Sequence, residues 1–143
     1  MADSYEVLLA MDVRGDITDD ELTELRWHLG QGEQPDQTPI CGSPDPLFAQ
    51  RGPAHHIGGA LVAALVARDA NWSLTVRQEL HPDEFHTLRS LLHWLGRHPV
   101  HDVPQFVGHL RFYENIEVTP LVLSDGAIAV PEDVTVHTPG WQP

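Results

Sequence analysis

There is no lysine in these 143 residues; all eight basic side chains are arginine. A chain without lysine forms no Schiff base, has no P-loop lysine and uses no lysine as a general base. Cysteine is almost as scarce. Cys41 stands alone, which excludes an internal disulfide and points to a cytoplasmic setting. No apolar run approaches the ~20 residues of a membrane span. The opening MADSYEV has neither the basic start nor the apolar stretch of a secretory signal. Positive charge is short as well. Eight basic residues face 21 acidic ones, for a net charge of -13. Neutralising phosphates takes a basic face, so nucleic acid is not an expected partner. The ten histidines include no tight pair with a third ligand nearby, so neither a metal nor a cofactor is expected.

The hydrophobic share, 41%, suits a single globular domain with its own core. A strand-into-helix unit is written twice. Val13–Gly30 and Val76–Gly96 align at a constant offset: Val13 meets Val76, Asp20 and Glu21 meet Asp83 and Glu84, and Leu25 and Leu29 meet Leu88 and Leu92. Tyr5–Val13 reads as a strand with both faces at least partly covered. Thr18-Asp-Asp-Glu21 is a capping box, and Leu22, Leu25 and Leu29 give the first helix one apolar face. Trp72–Glu79 alternates, with Trp72, Leu74 and Val76 on one side and Ser73, Thr75, Arg77 and Glu79 on the other. His81-Pro82 opens the second helix, whose buried face is Phe85, Leu88, Leu92 and Leu95.

Between the two units lies different material. Residues 31–54 hold five prolines and read as a long loop, either a flap over one edge or a surface excursion. His55–Ala67 fits a strand or a helix. A strand is preferred, because the segment after it needs an antiparallel neighbour through a short connection. Phe106–Tyr113 alternates, with Phe106, Leu110 and Phe112 opposed to Val107, His109, Arg111 and Tyr113. Asp125-Gly126 marks a two-residue turn in a C-terminal hairpin over residues 119–130, followed by an irregular tail over residues 131–143.

The order predicts an α+β domain of ferredoxin-like βαββαβ type, with core 5–113, two helices on one face of the sheet, and an extra hairpin. The first and third strands are expected to lie parallel in the centre, leaving the other face open. Alternation places Asp12, Arg14, Arg77, Glu79, His109 and Arg111 on that open face, converging at one end, with Tyr113 beside them and His55 or His56 close by. Two functions fit. In one, the face is a small-molecule pocket. His109 with Glu79 or Asp12 moves protons, and Arg14, Arg77, Arg111 and Tyr113 hold an anionic or carbonyl ligand, with or without catalysis. In the other, the chain is an acidic interaction module, an immunity or regulatory partner that meets a basic surface through Asp16, Asp19, Asp20, Glu21 and Glu24. Leu8, Ala10 and Val107 share the open face, which predicts a homodimer.

The two strand–helix halves, Tyr5–Leu29 and Trp72–Leu95, resemble in their order of elements the dimeric α+β barrel superfamily. The likeness spans residues 5–113 and is one of architecture, without a matched motif. It implies two open faces paired across a twofold axis. Many such proteins are small monooxygenases, decarboxylases, cyclases or isomerases that need no cofactor, and others only bind ligands.

Overall fold

The computed structural model describes residues 3–129. Strand β1 (Tyr5–Val13) leads into helix α1 (Asp19–His28), then comes a long irregular stretch that ends in the two-residue strand β2 (Gly52–Pro53). A hairpin, β3 (Ala60–Arg68) and β4 (Asn71–Leu80), is followed by a 3₁₀ turn (Pro82–Glu84) and helix α2 (Phe85–Gly96). Strands β5 (Gln105–Phe112), β6 (Thr119–Ser124) and β7 (Ala127–Ala129) close the described chain. The expected tail, 131–143, lies outside the described residues. Among those residues, no helix is long and apolar enough to cross a membrane.

The capping box of the first helix holds, whereas Pro82 opens a separate 3₁₀ turn and α2 follows from Phe85 without a side-chain cap. Thr18 Oγ1 accepts from the Glu21 amide, and Glu21 returns the bond to the Thr18 amide. His81 Nδ1 accepts from the Asp83 amide, and Glu84 accepts from the His81 amide, with Pro82 opening the turn where it misses no donor. His55–Ala67 resolves into an irregular start and then a strand, as preferred.

The expected topology does not hold. All seven strands form one antiparallel sheet, in the order β2-β3-β4-β1-β5-β6-β7. The ferredoxin-like βαββαβ sheet with a parallel centre and a separate hairpin is therefore replaced by this wider sheet. β4 runs against β1 in the register Glu6↔Glu79 through Asp12↔Ser73. The reason is a matter of direction. The chain comes back to the start of β1 before β3 begins, where Ser4 Oγ meets His56 Nδ1 at 3.1 Å. β3 thus sets off in the direction of β1, the tight turn reverses it, and β4 must oppose β1. The C-terminal hairpin, β6–β7, extends the same sheet instead of standing apart.

The core follows the odd positions of β1. Tyr5, Val7, Leu9, Met11 and Val13 are buried together with Leu25 of α1, Leu29 just after it, and Phe85, Leu88, Leu92 and Leu95 of α2. The proline-rich stretch does not stand off as a surface excursion; its two ends lie along the β3 edge. It buries Ile40, Leu47 and Phe48 in the same cluster. A bulge at Val107 shifts the alternation of β5. Val107 is buried and Phe106 faces out, 64% exposed, the reverse of the expectation. Gly108 sits in the bulge because a Cβ there would collide with the Leu8 carbonyl oxygen.

Among the described residues, one buried side-chain polar atom lacks a partner. The Tyr5 hydroxyl is buried without a hydrogen bond, and burial, helped by the charge of Asp3, pushes its pKa up to about 12. An unpaired buried hydroxyl costs what its desolvation costs. Tyr5→Phe is therefore expected to leave stability unchanged or raise it by up to about 1 kcal/mol in urea unfolding. A clear loss would reveal a partner the fold does not display.

Candidate functional site

Antiparallel pairing of β1 with β4 changes which carboxylate the arginines meet. Had the strands run parallel, Asp12 would have come to Arg77 and Glu79. Instead the start of β1 meets the end of β4 and the end of β5, and the residue at the meeting point is Glu6, only 6% exposed. Glu6 Oε2 accepts from Arg77 Nε and Nη2, both at 2.9 Å. Glu6 Oε1 accepts from His109 Nε2 at 2.9 Å and from Arg111 Nε at 3.0 Å. The remaining guanidinium donors are spent on backbone. Arg77 donates to the carbonyls of Ile57, Gly58 and Ala60, and Arg111 to those of Tyr113 and Asn115. Burial works to raise the Glu6 pKa, but the bonds from His109 and Arg111 outweigh it and hold the carboxyl below its usual range.

The sequence-predicted residues thus divide. Arg77, Arg111 and His109 come together, around Glu6. Asp12 lies at the far end of β1 and accepts from Ser73 Oγ at 2.8 Å. Arg14 is exposed beyond the strand and pairs with Asp16 at 3.3 Å. Glu79 is turned to a separate task. Its two oxygens accept from the successive amides of His55, His56 and Ile57 at 2.7, 2.6 and 3.2 Å, clamping the chain ahead of β3. Burial raises its pKa, but those three amides bring it below the ordinary value. Tyr113 packs against His56, ring to ring at 5.0 Å, and its amide bonds to the Ser4 carbonyl. Neither Glu79 nor Asp12 is a proton partner of His109. The parity of β1 contained the signal for Glu6, since it shares a face with Leu8, Ala10 and Asp12.

Near the Glu79 clamp opens a cleft of about 410 Å³, lined by residues that include Asp3, Ser4, Leu47, His55, His56, Glu79, His81 and Glu84. It contains a serine, a histidine and a carboxylate in contact, yet not in a nucleophilic arrangement. Ser4 Oγ and Glu79 Oε2 both approach the same ring nitrogen, Nδ1 of His56, at 3.1 and 3.5 Å. A relay from carboxylate through imidazole to hydroxyl needs the two on opposite nitrogens. Burial raises the pKa of Glu84 above the usual carboxylate value.

A third polar cluster lies in the core. Glu24 and His28, one turn apart on α1, are fully buried. Glu24 accepts from the amides of Ile40 and Cys41 at 2.7 and 2.8 Å. His28 Nδ1 accepts from the Leu47 amide at 3.2 Å, and the His28 carbonyl accepts from the Phe48 amide at 2.7 Å. His28 Nε2 reaches Glu24 at 3.4 Å and Cys41 Sγ at 3.3 Å. Glu24, His28 and Cys41 are close enough to hold a metal ion between them, but the polarity is wrong. A histidine that ligates through Nε2 carries its proton on Nδ1 and donates there, whereas Nδ1 of His28 is the acceptor of an amide. The trio binds the proline-rich stretch to α1. Burial, and then the Glu24 charge, pushes the Cys41 thiol up to about 12, so it is no nucleophile. The expected acidic face of α1 shrinks accordingly. Asp16, Asp19 and Asp20 are exposed, but Glu24 is internal and Glu21 accepts from the Thr18 amide and from Trp94 Nε1 at 2.6 Å.

Compared with known proteins, the chain matches no family model, no curated protein and no solved structure.

Proposed function

We propose that this protein is a binding module and not an enzyme, and that its uncovered sheet face docks a basic protein surface. The carrying observation is a contrast within one face. Its charged groups are already paired with each other around Glu6, while Phe106 and Val66 are 64% and 58% exposed, with Val62 and Val122 open beside them. The registers Phe106↔Val122 and Val66↔Ser73 place these side chains on the same side as Asp12 and Arg77. These are two apolar patches, Val62 and Val66 on β3 and Phe106 and Val122 on β5 and β6, on either side of Ser73 and Asp12, and exposed apolar patches mark interaction surfaces. Asp12 and Asp69 line a recess at one end of the face with Arg68 and His101. With a net charge of -13, an oppositely charged partner is drawn in and a second copy across this face is repelled. A lone thiol held protonated fits a cytoplasmic setting.

A photo-crosslinking residue at position 106 tests the proposal. It is expected to capture one protein, with a yield that falls more than about tenfold in Val122→Glu, since loss of a central apolar contact costs at least 1–2 kcal/mol of binding. Phe106→Glu and Val122→Glu should shift unfolding by no more than about 0.5 kcal/mol. Equal capture from a crosslinker at Asp19 on α1 would contradict the assignment.

The cleft supports a second reading. Its volume lies in the range of small-ligand sites. Three histidines and three carboxylates line it, without arginine, which suits a small cationic or polar molecule. A thermal shift with such a compound, lost in His81→Ala, would favour this reading.

A further inference from the structure

The free edge of β3 is built like an interface. β2 covers only its beginning, through Gly52↔Leu61 and Pro53↔Ala60. From Val62 to Arg68, β3 has a strand neighbour on one side alone among the described residues. The direction of each amide follows from two bonds. The Ala54 amide donates to the Gly59 carbonyl at 2.8 Å, and Gln31 Nε2 donates to the Ala63 carbonyl at 3.5 Å. Backbone groups of one residue in an antiparallel strand point the same way and alternate along it. Odd residues of β3 therefore point outward, and Val62, Ala64 and Val66 bond inward to β4. Leu65 and Ala67 present their N–H and C=O to the outside.

An edge of this kind invites another strand, and folded proteins usually blunt it with lysine, proline, a bulge or an inward-pointing charge. None of these is present between Ala60 and Ala67, where every residue is Ala, Leu or Val.

We propose that a second copy of this chain pairs here, β3 against β3, antiparallel about a twofold axis at Leu65. The free stretch is centred on that residue. It starts after β2 releases Leu61 and stops at the Asp69 turn. Twofold pairing sets Leu65 against Leu65, Ala64 against Val66, and Ala63 against Ala67, whose amide takes the Ala63 carbonyl from the long 3.5 Å bond of Gln31 Nε2, so an almost palindromic strand meets itself. An isologous interface needs this self-complementarity. Charge decides in the same direction. The chain as a whole repels its copies, but β3 carries no acidic residue, so pairing along this edge sets no two carboxylates of β3 against each other. The pair joins two sheets edge to edge and sets their open faces side by side.

Light scattering after gel filtration at high micromolar concentration is expected to give twice the 15.9 kDa chain mass. Ala67→Pro removes one outward donor from an exposed position without touching the β3–β4 ladder. It should weaken the dimer at least about tenfold, while the dilute protein keeps its urea midpoint. Hydrogen exchange on the parent protein gives an independent reading. The Leu65 and Ala67 amides should be protected at high concentration and exchange freely on dilution. A monomer at every concentration overturns the proposal. So does a dimer with fast exchange at Leu65 and Ala67, or one dissolved by Phe106→Glu and not by Ala67→Pro.

Discussion

Glu24→Ala is expected to cost about 3–5 kcal/mol, because three buried neutral donors lose their acceptor, each at about 1–3 kcal/mol. Two amides, those of Ile40 and Cys41, lose their acceptor. The Nε2 proton of His28 loses its carboxylate. None of these groups reaches water easily, since Glu24 and His28 are fully buried. Even Glu24→Gln should be severe, because one of the two carboxylate oxygens becomes an NH₂ aimed at a backbone donor. Urea unfolding measures the loss, and loss of fold in Glu24→Ala with partial retention in Glu24→Gln also agrees.

The same cluster sets an acid limit. Burial lowers the pKa of His28 below its ordinary 6.5, against the opposing pull of Glu24. The groups facing it are Glu24 on its own helix and Cys41 on the proline-rich stretch, with the Leu47 amide on Nδ1. Because the folded chain keeps His28 neutral, the unfolded chain takes up the proton first. Stability is therefore complete above about pH 6.5 and falls as pH drops below it. In His28→Asn, whose Oδ1 can still accept from Leu47, this part of the acid sensitivity should vanish, even though the variant is less stable at neutral pH. A pH–stability curve parallel to that of the parent would contradict the role.

Glu6→Gln is the second large expected effect, on the order of 2–4 kcal/mol. Glu6 is the one carboxylate between Arg77, Arg111 and His109, and it ties β4 and β5 to β1 across the sheet. An amide there gives the arginines half an acceptor and points donors at the rest. The arginine side chains keep about a fifth of their surface in water, 23% and 20%, so the loss should be smaller than at Glu24. Glu6 and Glu79 both have lowered pKa values in the folded chain. Their contribution is present above the ordinary carboxylate value of 4.5 and is lost as pH falls through the folded values. Acid unfolding should then show a shallow slope below pH 6.5 and a steeper one below 4.5. In Glu6→Gln the steeper part should flatten.

Local structure was legible because it depends on neighbours in sequence. The Thr18–Glu21 box, the proline at the second helix and the apolar faces around Leu25 and Leu88 all follow from spacing over a few residues. Strand direction was not legible. It depended on where the irregular stretch 31–54 brings the chain back, and no local rule sets that. The error moved the site, since reversing β4 against β1 exchanges Asp12 for Glu6. The bulge at Val107 was hidden in the same way: FVGHLRF alternates on paper, and only the close approach of Gly108 to the Leu8 carbonyl displaces the phase. Glu24 and His28 escaped because two polar residues at helical spacing look solvent-facing until a loop with its own unpaired amides covers them.

In the proposed function the buried carboxylates hold the sheet together and the apolar face meets the partner. The most direct test is a crossed comparison of Glu6→Gln and Phe106→Glu, each measured for urea midpoint and for crosslinked capture through Val122. Glu6→Gln should lower the midpoint and, below the onset of unfolding, keep capture. Phe106→Glu should keep the midpoint and lose capture. The opposite outcome, an unchanged midpoint with lost binding in Glu6→Gln, would make the Glu6, His109 and arginine group a binding or catalytic site and contradict this account.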